Sequence, residues 1–364
     1  MMRLRLPEMR GLRPAALALP SGCCPDVEAC LASGTLLLEA AGIETARLDA
    51  ECLAAHALGW PRWQVFLSPR RRLTPEEFAR YLALLGRRER REPLAYVLGM
   101  REFWSLSLAV SSGVLVPRPE TETLVEATLA VWREMTAADE SGERRAESGE
   151  RRAESGEPRA EMREPRATSH EPRPASREAR GARRELRGER PVIVELCTGS
   201  GAVAIALARE IPTARILATD VSWRALRVAR ANALAHAVAG RVTFLRGNLW
   251  QAVNGQAPAG SVDLVVANPP YVPTRDVATL MPEIQWEPRL ALDGGADGLR
   301  VQRDIIATSP ERIRPGGFLL LEIGADQAEA ILALLGKMGR FETGRIFRDL
   351  AGRPRVIAAR RRDG

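Results

Sequence analysis

The sequence predicts an α/β protein with a doubly wound, mostly parallel seven-stranded sheet, preceded by a small N-terminal helical domain. From residue 191 onward, short apolar runs alternate with amphipathic stretches, an order typical of strands and helices in a parallel sheet. The last two runs lie close together in "GRIFRDLAGRPRVIAAR" and predict an antiparallel end to that sheet. Residues 26 to 100 instead place apolar residues three and four apart, which predicts helices.

Composition restricts the classes of protein that this chain can form. The 364 residues are 45% hydrophobic, enough for a large core, yet no apolar run approaches the roughly 18 residues of a membrane span. The formal charge of +7 suggests a nucleic-acid partner, but Lys337 is the only lysine. Such an arginine bias is typical of a GC-rich coding sequence, so we expect no specific nucleic-acid ligand and no membrane partner. We also expect a monomer.

Cysteine usage indicates a reducing compartment. The five cysteines follow no zinc spacing, and their odd number argues against a disulfide framework. We therefore expect a cytoplasmic protein without a bound metal.

The first half of the chain divides into four segments. Residues 1–25 are mildly basic with a weak apolar patch broken by prolines; this predicts a disordered extension or a misplaced start codon rather than a signal peptide. In 26–100, Thr74 is a helix N-cap followed by Pro75, and Gly42 and Gly59 end helices. Residues 101–135 predict a β-hairpin, with its turn at Ser-Ser-Gly, and a helix that joins the two domains.

Residues 136–190 differ from the rest in composition. The repeat ERRAESG has a seven-residue period but lacks a pair of apolar positions for a coiled-coil seam. With almost nothing to bury, it predicts a disordered insertion. The domain that follows, 191–364, is the predicted ligand-binding and catalytic domain.

The first candidate site is the turn in "VELCTGSGAVAIALA", where a strand passes into a helix. Its small and glycine residues permit close approach of a ligand at the carboxyl end of the sheet; they are Cys197, Thr198, Gly199, Ser200 and Gly201. A dinucleotide fold stays open on this stretch alone. However, Val203 and Ala204 occupy the positions where the third glycine of that fingerprint would be sought, so pyrophosphate has no evident seat.

The next two strands end in further candidates for a nucleoside site. Asp220, about 20 residues after the turn, suits the two hydroxyls of a ribose, although it can also cap the helix that begins near Trp223. Asn248 can contact an adenine edge while Leu249 packs on the ring. A simple turn explains Asn248 nearly as well.

The fourth strand ends in Asn268, Pro269, Pro270 and Tyr271. The nitrogen of a planar amide or exocyclic amine is a poor nucleophile, and an enzyme that alkylates it needs acceptors for its two N–H groups. The Asn268 side-chain oxygen and the Pro269 carbonyl can supply these, and the prolines make them rigid. Tyr271 can lie over the planar group. A rigid exit from the strand explains the prolines but not the whole tetrapeptide, so we interpret it as a catalytic cup for an NH₂ group, with no metal involved.

The chain resembles the release-factor glutamine methyltransferases (PrmC/HemK type), a class I, Rossmann-like family that uses S-adenosylmethionine. The resemblance runs from about residue 26 to the end, apart from the insertion. It is carried by NPPY, shared with many amino-methyltransferases, and by more specific stretches: "ARLDAECLAAHALGW", "REPLAYVLGMREFW", "VLVPRPETE" and "EIQWEPRLALDGGADGLRVQRDII". The family often has Gly at position 197 and Asp at 248, where this chain has Cys197 and Asn248.

The resemblance implies the reaction and its partners. The substrate would be the glutamine of the Gly-Gly-Gln motif in class 1 peptide-chain release factors, methylated on its side-chain nitrogen, with S-adenosylhomocysteine as product and residues 26–100 recognising the substrate. Asn268 to Tyr271 would hold the glutamine. The cofactor would contact residues 197–201, Asp220, Asn248, Leu249 and Asn268.

Two alternatives to this interpretation remain at this point. An adenine-N6 or other nucleobase methyltransferase needs the same NH₂ cup, although no separate target-recognition module is evident. A catalytically silent cofactor-binding scaffold would not need NPPY intact.

Overall fold

The computed structural model describes residues 24–137 and 190–363. The predicted extension over 1–25 and insertion over 136–190 lie outside this part of the chain, except for their end residues; residues 136 and 137 are helical. The described residues form two compact units. Within the described ranges, no helix is both long and apolar enough to cross a membrane.

One unit holds the described residues up to Arg101 together with Val110–Val116 and Ala278–Pro288. It contains five helices: Val27–Ala40, Ala46–Leu58, Arg62–Leu67, Pro75–Glu89 and Leu94–Leu98. Thr74 caps the fourth helix as predicted, and its hydroxyl and the Glu77 carboxylate each accept the other's backbone N–H. The helices enclose an apolar core that includes Leu38, Leu53 and Leu85.

A buried charge network ties the segment Ala278–Pro288 to the helices of this unit. The Arg88 side chain is almost fully buried; its Nε lies 2.7 Å from Asp49 Oδ2, and its Nη2 lies 2.9 Å from Glu283 Oε1. Arg91 Nη2 lies 2.8 Å from the other Glu283 oxygen. Each buried charge is thus paired and hydrogen-bonded, as burial requires.

A short β-hairpin follows the N-terminal helices in the sequence. Its turn is not at the predicted Ser-Ser-Gly. The strands are β1 (Met100–Phe103) and β2 (Leu106–Ala109). The turn consists of Trp104 and Ser105, both at positive φ (52° and 55°), which is the type I′ geometry. The predicted Ser-Ser-Gly turn lies beyond β2. Two acceptors offset the strain of a non-glycine turn: the Trp104 backbone N–H donates to Glu122 Oε1 at 2.7 Å, and its indole N–H donates to Glu210 Oε1 at 2.9 Å.

The second unit is built on the predicted seven-stranded sheet. Its strands are β3 (Val192–Leu196), β4 (Arg215–Asp220), β5 (Val242–Arg246), β6 (Val262–Ala267), β7 (Ile313–Glu322), β8 (Arg345–Arg348) and β9 (Pro354–Arg360). They lie in the order β5-β4-β3-β6-β7-β9-β8, parallel except for β9, which is antiparallel to both neighbours. This confirms the predicted fold class.

Both faces of the sheet are buried, and alternate residues of each strand contribute to opposite cores. Ile193, Ile216 and Leu264 belong to the core on one face, and Val194 and Val265 belong to the other. The helices that follow the strands cover these faces; they are 122–137, Ala202–Glu210, Trp223–Ala235, Arg300–Thr308 and Ala328–Met338.

Prolines mark two features of the elements before the antiparallel end of the sheet. The helix Arg300–Thr308 ends before Ser309-Pro310 because proline cannot continue a helix. Strand β7 begins at Ile313 and contains Pro315. Pro315 is tolerated within β7 because the register against β6 shifts between Val262 and Leu264.

Candidate functional site

The predicted site residues all lie at one edge of the sheet, at or just beyond the carboxyl ends of β3, β4, β5 and β6. In open α/β sheets ligands bind at this edge. The structure therefore brings the glycine-bearing turn, Asp220 and NPPY to the same edge, as the sequence predicted for each strand in turn.

The turn after β3 is tight because three of its residues adopt the left-handed region. Cys197 has φ 63°, Gly199 has φ 57° and Gly201 has φ 81°. Gly201 begins the helix Ala202–Glu210, and a side chain there would lie 3.0 Å from Ala229 Cβ, so only glycine fits without displacement. The positive φ at Cys197 is a backbone conformation that favours glycine.

A buried carboxylate supports this turn from beneath. Glu195 is almost fully buried; it accepts hydrogen bonds from the Thr198 hydroxyl and, at 3.1 Å, from the Ala204 backbone N–H. Burial raises the pKa of Glu195 to about 8, against the two hydrogen bonds, which favour the charged form. Glu195 thus joins the turn to the first residues of the helix that follows.

Asp220 links the turn to the second strand. Its Oδ2 accepts from the Gly199 backbone N–H at 2.9 Å, and its Oδ1 accepts from the Ser222 backbone N–H at 2.8 Å. Burial raises the pKa of Asp220, while these backbone donors favour its ionised form. The helix Trp223–Ala235 is capped by the Ser222 side chain, so the alternative in which Asp220 caps it is wrong.

This arrangement fits an uncharged diol better than a phosphate. The Gly199 N–H, which a phosphate would need, already binds a carboxylate whose charge repels anions. Each carboxylate oxygen can accept a second hydrogen bond, as a ribose hydroxyl would donate. The turn and Asp220 together therefore fit the nucleoside part of S-adenosylmethionine.

Asn248 and Leu249 lie in a turn directly after β5. Asn248 is exposed and precedes the 3₁₀ helix Leu249–Val253, which its side chain does not cap. Leu249 has φ 46° and is half-buried. This backbone is that of a turn, and the contact with adenine stays a prediction.

The NPPY segment holds its asparagine through a residue that the sequence analysis did not select. The Asn268 Nδ2 group donates to Thr121 Oγ1 at 3.1 Å. The amide oxygen of Asn268 is therefore the atom left to accept a hydrogen bond from a substrate. Thr121 belongs to the 3₁₀ turn Pro119–Thr121 in the "PRPETE" stretch.

Tyr271 also contacts a residue that the sequence analysis did not select. Its hydroxyl lies 3.4 Å from Oε1 of Glu322, the last residue of β7. Burial raises the pKa of Tyr271, and the nearby Glu322 carboxylate raises it further, so the phenol stays neutral.

The backbone of the NPPY segment is braced by Gln327 and by the "LDGGADG" stretch. The Gln327 Nε2 group donates to the Tyr271 carbonyl at 2.9 Å. A side chain at Gly294 would lie 2.7 Å from the Pro270 carbonyl oxygen, and one at Gly298 would lie 2.4 Å from the Tyr271 carbonyl oxygen. These glycines allow two chain segments to meet closely. In the sequence, the one sign of this contact is that both glycines lie in a stretch that carries the family resemblance.

The fold and this edge of the sheet define a class I methyltransferase. The strand order places β3 and β6 side by side in the middle of the sheet and inserts the antiparallel β9 between β7 and β8. The acid that ends β4 and the NPPY segment after β6 occupy the ligand-binding edge. Among the described residues, no group of acids, histidines and cysteines is arranged to hold a metal ion.

Comparison with known proteins identifies the family. Residues 29–99 match the model of the PrmC N-terminal domain, and residues 184–285 match the methyltransferase small domain. The chain is 34% identical over 299 residues to a release factor glutamine methyltransferase of Geobacter sulfurreducens, covering 82% of this chain and 84% of that protein. It is 37% identical over 330 residues to the one of Rhodospirillum rubrum, covering 90% and 83%. The chain belongs to the release factor glutamine methyltransferase family.

Among solved structures, a ribosomal protein L11 methylase from Lactobacillus delbrueckii subsp. bulgaricus aligns with 49% of this chain and 74% of its own. The sequence identity is 21% and the TM-score is 0.34.

Proposed function

We propose that this protein methylates the side-chain nitrogen of the glutamine in the Gly-Gly-Gln motif of class 1 peptide-chain release factors. S-adenosylmethionine is the methyl donor and S-adenosylhomocysteine the product. The observation that carries the proposal is Asn268, whose amide nitrogen is engaged by Thr121 so that its oxygen is left for a substrate N–H. Membership of the family supports the same substrate.

The cofactor would be held by the turn after β3 and by Asp220. Residues 197–201 allow close approach of the ligand, and the Asp220 carboxylate would accept hydrogen bonds from the ribose hydroxyls. Leu249, at the end of β5, would contact the adenine, with Asn248 beside it. When bound, S-adenosylmethionine supplies a methyl group on a positively charged sulfur.

The NPPY segment would act on the nucleophile. The glutamine amide nitrogen donates its electron pair into the carbonyl, which makes it a poor nucleophile. Asn268 Oδ1 and the Pro269 carbonyl would each accept one of its N–H groups and favour the tetrahedral nitrogen of the transition state. Pro270 limits backbone motion, and the Tyr271 ring would hold the planar amide in line for attack. The nitrogen gains a methyl group and releases one proton.

The cellular location of the reaction follows from its substrate. Because release factors act in translation, the proposal places the protein in the cytoplasm. It would act there as a monomer, without a specific nucleic-acid ligand.

A transfer assay with three substrates tests this function. The purified protein is incubated with S-adenosylmethionine and either a release factor, the same release factor with Ala in place of the motif glutamine, or duplex DNA. Mass spectrometry should place one methyl group on the Gly-Gly-Gln peptide and none on the other two. Methylation confined to DNA adenine would support the nucleobase alternative instead. Cofactor binding with no transfer to any substrate would indicate a scaffold.

A further inference from the structure

Two buried residues outside NPPY connect its asparagine and its tyrosine to each other. Thr121 contacts Asn268 through the 3.1 Å hydrogen bond, although the two are 147 positions apart in the sequence. Glu322 Oε1 accepts a hydrogen bond from the Tyr271 hydroxyl at 3.4 Å, and the Thr121 side chain is near enough to lower the pKa of Glu322. Thr121 is 5% exposed and Glu322 is 0% exposed. The chain of contacts therefore runs from Asn268 through Thr121 and Glu322 to Tyr271.

The direction of each hydrogen bond in this chain follows from the charge of Glu322. An ionised carboxylate only accepts hydrogen bonds, so the charge of the nearby Glu322 draws the Thr121 hydroxyl proton toward it. The Thr121 oxygen then presents a lone pair to Asn268, and only the NH₂ end of the Asn268 amide can donate to it. The amide oxygen must consequently face the other way, toward the position of the substrate nitrogen.

We propose that Glu322 and Thr121 are positioning residues that fix the orientation of the Asn268 amide and of the Tyr271 ring for methyl transfer. This inference rests on the proposed function for its effect on turnover. It also gives a role to the "PRPETE" stretch, for which the sequence alone suggested none. Without this chain of contacts the Asn268 amide has no reason to prefer one of its two orientations.

The surroundings of Glu322 make the orientation of the Asn268 amide sensitive to pH. Burial, the largest cause, raises the pKa of Glu322 to about 7, and Glu120 raises it as well. Thr121, Tyr271 and Arg355 act in the opposite direction, but Arg355 also binds Asp349, with 3.1 Å between Nη2 and Oδ2. Within the described residues, the buried Glu322 Oε2 atom has no hydrogen-bond partner at normal distance and angle. Below the pKa, a protonated Glu322 can donate to Thr121 and reverse the polarity of the chain.

The kinetic experiment compares four variants of the full chain on release factor. Thr121→Val and Glu322→Gln should lower kcat by roughly tenfold to a hundredfold, as small misplacements of reacting groups do, while the affinity for S-adenosylmethionine changes by less than about twofold. Thr121→Ser keeps the hydroxyl and should retain kcat to within about threefold. Thr128→Val is the matched control, since Thr128 is equally buried but donates only to the Leu124 carbonyl within its own helix. It should leave kcat unchanged.

The pH profile separates positioning from a merely structural effect. The kcat of the wild-type protein should rise with pH around a midpoint near 7, where Glu322 ionises. This rise should be absent in Glu322→Gln. Equal kcat in Thr121→Val and wild type, or an unchanged pH midpoint in Glu322→Gln, would overturn the inference.

A second measurement needs no turnover and no substituted protein. The side-chain NH₂ protons of Asn268, observed by ¹⁵N-edited NMR on the wild-type protein, should shift with pH around the same midpoint. A shift that is independent of pH between 5.5 and 8.5, roughly one and a half pH units either side of the midpoint, would overturn the inference even if release factor is not the substrate. Failure of wild-type transfer together with a titrating Asn268 resonance would overturn the proposed function alone.

Discussion

Asp220→Asn should weaken binding of S-adenosylmethionine while leaving the chemical step almost intact. Both Asp220 oxygens accept backbone N–H groups, from Gly199 at 2.9 Å and from Ser222 at 2.8 Å. An amide has only one oxygen, so one of these two donors loses its acceptor in a buried place, at a cost of about 1–3 kcal/mol in protein stability. A ribose hydroxyl also loses a charge-assisted hydrogen bond worth about 1.5–3 kcal/mol.

The loss of the hydrogen bond from the ribose hydroxyl sets the expected change in cofactor affinity. Because about 1.4 kcal/mol corresponds to a factor of ten, the Kd should rise by roughly tenfold to a hundredfold. Titration calorimetry with S-adenosylmethionine and with S-adenosylhomocysteine measures this directly. Turnover at saturating cofactor should stay within about threefold of wild type, because Asp220 does not contact the substrate amide. Asp304→Asn, on an exposed helix face, is the matched control and should leave the Kd unchanged.

The contrasting variant is Asn268→Ala. It removes the acceptor of a substrate N–H, so kcat should fall by about a hundredfold or more while the Kd for the cofactor changes by less than about twofold. The reasoning is refuted if cofactor affinity and kcat fall in step in either variant. That result would mean that the turn, Asp220 and NPPY form one indivisible binding site instead of two with separate tasks.

Three further predictions concern stability. Because φ is 63° at Cys197, Cys197→Gly should raise the free energy of unfolding by up to about 1 kcal/mol, and Cys197→Val should lower it by about 1–2 kcal/mol. A Cys197→Val variant as stable as the wild-type protein in urea unfolding would refute this. Burial raises the pKa of Glu195 from 4.5 to about 8, so the folded state retains a proton that the unfolded chain releases, and stability should fall as pH rises through that window. Glu195→Gln should flatten this dependence in thermal melts, and an equal slope in both proteins would contradict it. Arg88→Ala leaves the buried Asp49 without its cation and should cost about 3–5 kcal/mol. Arg47→Ala removes a half-exposed guanidinium, and its partner Glu51 keeps Arg62, so it should cost less. Equal losses would contradict this.

The sequence predicted the sheet well because its strands carry a local signal. Strands β3, β4 and β6 are mostly apolar, as expected for strands buried on both faces, and polar turns bound them. The hairpin turn could not be placed in this way. Trp104 and Ser105 have no turn signature, while the nearby Ser-Ser-Gly has one, and the actual turn depends on Glu122 and Glu210, which are distant in sequence.

The candidate site was predicted only in part, for a related reason. NPPY and Asp220 are visible because each follows a strand directly. Thr121 and Glu322 are polar residues whose meaning depends on a contact across the folded sheet, and no local pattern marks such a contact. The family-specific stretches indicated where to look, but not which atoms meet.

The position of the site at the ends of five parallel strands has a consequence for folding. Each neighbouring pair of these strands is joined through a crossover, so the cup and the turn are complete only after the most distant pairings have formed. Non-local pairings of this kind form late and slowly. No partly folded species of this unit should therefore retain activity, and recovery of turnover during refolding should coincide with the slowest phase of burial seen by tryptophan fluorescence. Turnover thus reports on completion of the native topology, which a far-ultraviolet signal from early helices does not.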